Sequence, residues 1–194
     1  ELHIEMVTMA EEYLAKKVNA EAAKAEASED LMALAKLRQF VSKTRGFPQI
    51  ARLNASPEAV GYANLANVST FGTRGPLTPD HSIRTKRAPA FIGDDIDASV
   101  HAFADDYQAY FDRNANGQTK LDGAPRFALW PNKGIVSFGD TLKDANIVAD
   151  IAESTAATVA LGEAVGGWEP LPESDIFAIE YWDLEQAKLR KGPA

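Results

Sequence analysis

Apolar residues recur at helical spacing from the start of the chain. Met6, Val7, Ala10, Tyr13, Leu14 and Val18 follow the rhythm of one helix face, and the pattern predicts a first helix over residues 2–27. Ser28 is placed to cap a second helix over residues 29–43, with Leu31, Leu34, Ala35 and Val41 inward. Gly46 and Pro48 stop it, and residues 48–54 read as a short strand. Ser56-Pro57-Glu58 combines a cap, a proline at the first helical position and an acid near the positive helix end. It predicts a short helix over residues 57–66. Residues 67–86, with Gly72, Gly75, Pro76 and Pro79, read as a loop. A loop of that length inside a domain is usually functional or disordered.

The second half alternates strands and helices. Residues 87–92 predict a strand. Asp94 or Asp95 then caps a helix carrying Ile96, Val100, Phe103, Tyr107 and Tyr110 on one face. A polar break over residues 114–123 leads to two short strands, 126–130 and 134–138, around Pro131-Asn132-Lys133. Asp140 or Thr141 starts a long helix to about residue 164, and Thr141 and Asp144 have the spacing of a capping box. Val148, Ile151, Ala152, Thr155, Ala156 and Val159 face inward, and Gly166-Gly167 ends it. A last helix over residues 173–191 carries Ile176, Phe177, Ile179, Tyr181, Trp182 and Leu184, so many apolar positions that burial on more than one side is expected. The fold class expected is α/β or α+β, dominated by helices.

Composition narrows the function classes. The chain has 194 residues, enough for one ordinary domain with a sizeable core. No apolar stretch approaches the ~20 residues that span a bilayer, and no signal-peptide pattern stands at the start, so a cytoplasmic protein without membrane contact is expected. It holds no cysteine, which excludes disulfides, a thiol nucleophile and cysteine-bound zinc. The net charge of −8 speaks against nucleic acid as a partner. One segment runs against that charge: Arg74, Arg84, Lys86 and Arg87 lie within fourteen residues, with Asp80 the only acid. Such a segment suits a small anion, a phosphate or a carboxylate.

Neither a dinucleotide-binding glycine turn, a Walker-type phosphate loop nor a G-x-S-x-G elbow occurs. The three histidines, His3, His81 and His101, form no H-x-H or H-x-x-x-H pair, so no metal site is expected in the chain. His81 lies in Thr78-Pro79-Asp80-His81-Ser82-Ile83-Arg84-Thr85-Lys86. There Arg84 offers a bidentate fork, Lys86 a point charge and His81 an acid or base near neutrality. Arg74, Asp80, Arg84 and Lys86 are therefore the candidate anion-binding residues, and His81 the candidate catalytic one. The competing reading pairs these residues with acids of the chain itself. Lys133 sits at a turn beside backbone amides that suit an anion, or in an ordinary hairpin.

Three stretches carry a resemblance. Arg74-Gly75-Pro76 with Thr78 to Lys86, Ala124-Pro125-Arg126 through Trp130-Pro131, and Glu180-Tyr181-Trp182 through Glu185-Gln186-Ala187-Lys188-Leu189 resemble motifs of bifunctional class II aldolase (adducin-like)/short-chain dehydrogenases. Some members of that family are similar to rhamnulose-1-phosphate aldolase joined to lactaldehyde dehydrogenase. The resemblance implies carbohydrate catabolism, with zinc and NAD(P) serving the full-length enzymes. The family's zinc is held by an H-x-H pair and a later H-G. Here Lys133-Gly134-Ile135-Val136-Ser137-Phe138-Gly139-Asp140-Thr141 is similar to the H-G-L-x-T-F-G-D-T segment, with lysine where the ligand histidine stands. Lysine at neutral pH offers a metal no lone pair.

The resemblance thus implies a degenerate, layered aldolase-like unit with a small sheet of short strands, without a cofactor of its own. Leu2, Met6, Met9 and Tyr13 match Val148, Ala152, Thr155 and Val159 in register, and no capping residue precedes the first helix. Residues 1–45 are therefore expected to be the tail of an upstream aldolase unit, residues 46–170 the degenerate unit, and residues 171–194 a helix leading to a missing domain. The expected role is accessory and non-catalytic: holding a phosphorylated sugar or other small anion, or organising the aldolase and dehydrogenase domains. Two rivals stand beside it. One is a small complete enzyme using His81 as acid or base. The other is a homo-oligomeric scaffold whose contact surface is the Tyr181-Trp182 helix.

Overall fold

A computed structural model of the chain describes residues 2–17, 24–28 and 30–189. Helix α1 spans Leu2–Lys17 and α2 spans Leu31–Arg45. The expected extension of the first helix to residue 27 is not seen over residues 24–28, which are irregular, and residues 18–23 lie outside the described residues. Tertiary bonds hold the irregular stretch. Ala25 N donates to the Pro57 carbonyl at 3.0 Å and Ser28 N to the Asn132 carbonyl at 2.8 Å. With Ser28 so engaged, the cap of α2 passes to Asp30, whose carboxylate accepts from Ala33 N at 2.9 Å.

The strands are β1 (Ile50–Asn54), β2 (Ala90–Phe91), β3 (Phe127–Trp130) and β4 (Gly134–Gly139). They form one sheet in the order β1-β4-β3-β2. Pairing is antiparallel except between β2 and β3, so the sheet is mixed. β3 and β4 form a hairpin around the Pro131-Asn132-Lys133 turn. Gly134 there has φ 116°, and a Cβ on it would collide with the Asn54 carbonyl oxygen of β1.

Helices cover both faces. Successive side chains of β3 and β4 point to opposite sides. Phe127, Leu129 and Ile135 meet α3 (Pro57–Ala63), α4 (Val68–Phe71) and α7 (Leu142–Val165) through Tyr62, Phe71, Val148 and Ala152. Ala128, Trp130, Val136 and Phe138 meet α2 and α6 (Ile96–Asn114) through Leu37, Val41 and Val100. Both strands are buried along their whole length, which is why they read as apolar runs rather than alternating ones. Each large side chain so buried stabilises the fold by roughly 1.5–3 kcal/mol before the cost of ordering it. The result is an α/β unit with helices on both faces of a small mixed sheet; the pattern predicted α/β or α+β with helices dominant.

The long segment before β2 is less loop-like than expected. It contains α4, a 3-10 turn at Pro79–His81 and α5 (Ser82–Thr85). At the other end the single helix expected over residues 173–191 is two, α8 (Glu173–Glu180) and α9 (Asp183–Ala187), broken at Trp182 in extended geometry. Gln186 Nε2 donates to the Glu180 carbonyl at 2.6 Å and so satisfies the end of α8. Tyr107, Tyr110 and Phe177 form a third, aromatic cluster that joins α8 to α6, with Tyr181 stacked on Phe177 at 4.3 Å. No described helix is long and apolar enough to cross a membrane.

Candidate functional site

The described residues hold one centre where charge, burial and backbone strain coincide. Lys86 closes α5 with φ 60° and ψ −179°, a region populated almost only by glycine and costing about 1–3 kcal/mol for other residues. Its surroundings enforce that conformation. Lys86 N donates to the Ser82 carbonyl at 2.8 Å, and the Thr85 hydroxyl donates to the Lys86 carbonyl at 3.0 Å. The side chain, 3% exposed, then runs inward. Its Nζ lies 3.7 Å from the centroid of the Tyr107 ring and 4.0 Å from Glu180 Oε1. Nζ has no hydrogen-bond partner among the described residues.

Glu180 is fully buried at the end of α8. The Tyr107 hydroxyl donates to its Oε1 at 2.8 Å and the Tyr110 hydroxyl to its Oε2 at 3.0 Å. Tyr107 has then spent its proton, so the Tyr181 hydroxyl, 2.7 Å away, donates to it. Burial pushes the Lys86 amine well below the usual lysine range, and the Arg126 cation adds to the shift, against the pull of Glu180 and Asp122. Burial also pushes the Glu180 carboxyl up, against Lys86 and the two tyrosines. Both shifts favour uncharged partners.

A second ionic layer adjoins it. Arg126 forks onto Asp122 at 2.8 and 2.6 Å. Arg45 of α2 bridges Asp122 at 3.0 Å and Asp140 at 3.1 Å, and Gln49 Nε2 donates to Asp140 at 2.8 Å. Burial alone would raise the Asp122 carboxyl. The two Arg126 bonds and the cations Arg126, Lys86 and Arg45 instead hold it well below the usual carboxylate range. This layer ties α2, the approach to β3 and the end of β4 together.

The other candidate residues are dispersed. Arg74 pairs with Glu163 at 2.6 Å and donates to the Trp168 carbonyl at 2.9 Å. Asp80 accepts from the Thr78 hydroxyl at 2.6 Å, which lowers its carboxyl. His81 is half-buried, and its Nδ1 has no partner among the described residues. Arg84, one turn on, is half-buried with no hydrogen bond or ion pair among the described residues. Lys133 donates to the Ser28 carbonyl at 2.8 Å. Of the six, only Lys86 enters the buried centre. The sequence placed Tyr107 and Tyr110 on a helix face and Arg126 and Glu180 in motifs, but named none of them, nor Asp122, as a site residue. A signal existed for Glu180: it follows Ile176 by four and Phe177 by three, which places a carboxylate on the buried face.

The turn residue where the aldolases' ligand would stand is a lysine already bonded to a carbonyl. No three His, Cys, Asp or Glu side chains come together in a metal-holding group among the described residues. An apolar groove of about 870 Å³ lies between α3 and α7. Tyr62, Phe71, Ile135 and Ala156 lie in it, with Glu58 and Glu153 among its polar residues.

The chain is 29% identical, over 149 residues, to a Bacillus subtilis (strain 168) protein named "Uncharacterized oxidoreductase YuxG". The match covers 70% of this chain and 22% of that relative, so the chain spans about a fifth of the relative's length. Residues 27–189 match the family described as "Aldolase class II, second domain". That stretch runs from the segment before α2 through α9 and takes in both the hairpin with Lys133 and the buried Lys86–Glu180 centre: the chain belongs to the class II aldolase second-domain family.

Proposed function

We propose that this chain serves as a non-cleaving, accessory domain of a longer carbohydrate-metabolising enzyme of the aldolase/short-chain dehydrogenase type, similar to rhamnulose-1-phosphate aldolase/lactaldehyde dehydrogenase. The observation that carries the proposal is the fate of Lys133. It stands where the sequence resemblance would set a metal-ligating histidine, and its Nζ donates to the Ser28 carbonyl. Three charged residues of the motifs agree with it: Lys86 lies 4.0 Å from Glu180, Glu180 accepts from Tyr107, and Arg126 forks onto Asp122. The domain's ionic residues thus organise its own layers, and carbon–carbon cleavage, zinc and NAD(P) belong to other parts of such an enzyme.

Two readouts test this. Incubated with zinc and a ketose 1-phosphate, the chain produces no aldehyde, and zinc leaves its Tm unchanged. Turnover, or a zinc-dependent rise in Tm, overturns the proposal.

A second reading keeps a ligand. Arg84 and His81 lie one turn apart, half-buried, each with donor capacity that the described residues leave unused. They suit the phosphate of a sugar. Inorganic phosphate would then shift the His81 ring resonances in an NMR titration, and Arg84→Met would abolish the shift. No response of His81 to phosphate refutes it.

A further inference from the structure

Helix α1 and the α3–α7 groove are two apolar surfaces left open in one chain. Every residue from Leu2 to Lys16 is exposed. Leu2, Met6 and Met9 are 71%, 63% and 69% exposed. These residues repeat the spacing of Val148, Ala152 and Thr155 on α7, where Val148 and Ala152 are buried. The stripe on α1 is therefore of the kind this fold uses to pack a helix, here exposed at Leu2, Met6 and Met9. The groove offers a surface for such a stripe. Ala157, Ala160 and Ala164 are small enough on α7 to let a helix backbone approach, and Leu161, 45% exposed, stands beside them.

The chain enters at the rim of that groove. Lys24 pairs with Glu58 at 2.9 Å, and Ala25 N donates to the Pro57 carbonyl. Glu58 itself lines the groove. Residues 18–23 connect this anchor to α1, a reach of no more than about 25 Å. Each copy thus presents its α1 close to its groove without filling it.

We propose that the occupant of the groove is α1 of a second copy of this chain, exchanged reciprocally about a two-fold axis. The exchange buries both surfaces in both copies and closes the assembly. A sixteen-residue helix is about 24 Å long. Laid in the groove it removes roughly 400 Å² from each side, so two seatings reach about the 1,600 Å² of a standard specific interface. The proposal does not depend on whether the domain cleaves sugars.

The cysteine-free sequence permits a clean test. Sedimentation of the complete chain gives a particle of twice the 21.0 kDa of one copy. Met9→Asp on α1 and Ala157→Glu in the groove each return it to a monomer with an unchanged circular-dichroism spectrum, since both positions are exposed in the single chain. Mixing a Met9→Cys preparation with an Ala157→Cys preparation, then adding a bismaleimide, yields a covalent heterodimer. In a Met9→Cys/Ala157→Cys double variant the cross-link joins two chains. A monomeric wild type, a dimer that survives both charged substitutions, or a cross-link confined to one chain each overturns the proposal.

Discussion

The Lys86–Glu180 pair predicts an asymmetry between two deletions. Glu180→Leu removes the carboxylate facing Lys86 and strands the Tyr107 and Tyr110 hydroxyls that now donate to it. Leaving two buried hydroxyl donors without an acceptor costs about 1–3 kcal/mol each, so a loss of roughly 3–5 kcal/mol is expected. Lys86→Met removes the ammonium and keeps an unbranched apolar stem over the Tyr107 ring. Glu180 then retains both tyrosine donors and can take up a proton, so the cost stays below about 1.5 kcal/mol. For a domain of this size 1 kcal/mol moves Tm by about 2–4 °C. Glu180→Leu should thus lower Tm by roughly 6–20 °C and Lys86→Met by no more than about 6 °C.

The same pair sets a pH signature. Burial lowers the folded-state value of Lys86 below its ordinary 10.5. Between the two values the unfolded chain binds the extra proton, so stability rises with pH through that window. The raised value of Glu180 acts in the opposite sense. Between its ordinary 4.5 and the raised value the folded chain holds the extra proton, and stability falls as pH rises. Urea melts followed by circular dichroism from about pH 7 to pH 10 should show the alkaline rise in the wild type and its loss in Lys86→Met. Equal Tm losses for the two variants, or an alkaline slope that survives Lys86→Met, would falsify the assignment of the pair.

Three further outcomes follow from the geometry. Lys86→Gly should be more stable than Lys86→Ala by about 1 kcal/mol in urea melts, the reverse of the usual order, because φ 60° and ψ −179° favour glycine. Asp122→Ala leaves Arg126 without its two-bond partner, while Arg45 keeps Asp140. A loss of about 3 kcal/mol is expected, read as a fall in Tm of roughly 6–12 °C. Gly134→Ala sets a Cβ against the Asn54 carbonyl at a φ of 116°, and should cost at least about 2 kcal/mol and disturb the β1–β4 pairing seen by amide exchange.

The elements were legible where one local force decided them. Ser56 and Thr141 cap their helices as the sequence predicts, the latter with Asp144 at 3.2 Å from backbone nitrogen to hydroxyl. The β3–β4 hairpin lies where its turn residues place it. Tertiary bonds overrode local preference elsewhere. Ser28 is a fair cap in isolation, but its backbone is held by Asn132, so Asp30 caps α2. The helix expected over residues 173–191 breaks because Tyr181 stacks on Phe177 and Gln186 turns back to the Glu180 carbonyl. Neither event has a signature in periodicity. The candidate site was legible only in its residue types. Lys86 stood out as a cation near other cations, yet nothing in its neighbours along the chain shows that α6 and α8 enclose it.

The three motifs that carry the resemblance lie far apart in sequence, and the fold brings them to the buried Lys86–Glu180 pair and the ionic layer that adjoins it. Lys86 comes from the first, Arg126 from the second and Glu180 with Tyr181 from the third. A cluster of cations in a loop reads as a ligand site because exposed cations seek anions. Burial reverses that inference. An amine enclosed by Tyr107 and Glu180 has its partners within the fold, and its removal is felt in stability and in proton uptake. What distinguishes the two cases is the strain at Lys86. A surface anion site has no need of a lysine in glycine's region of backbone space, whereas a side chain that must turn inward from the end of α5 to reach α8 does. Lys86 of the first motif accordingly fastens α5 to Tyr107 of α6 and Glu180 of α8.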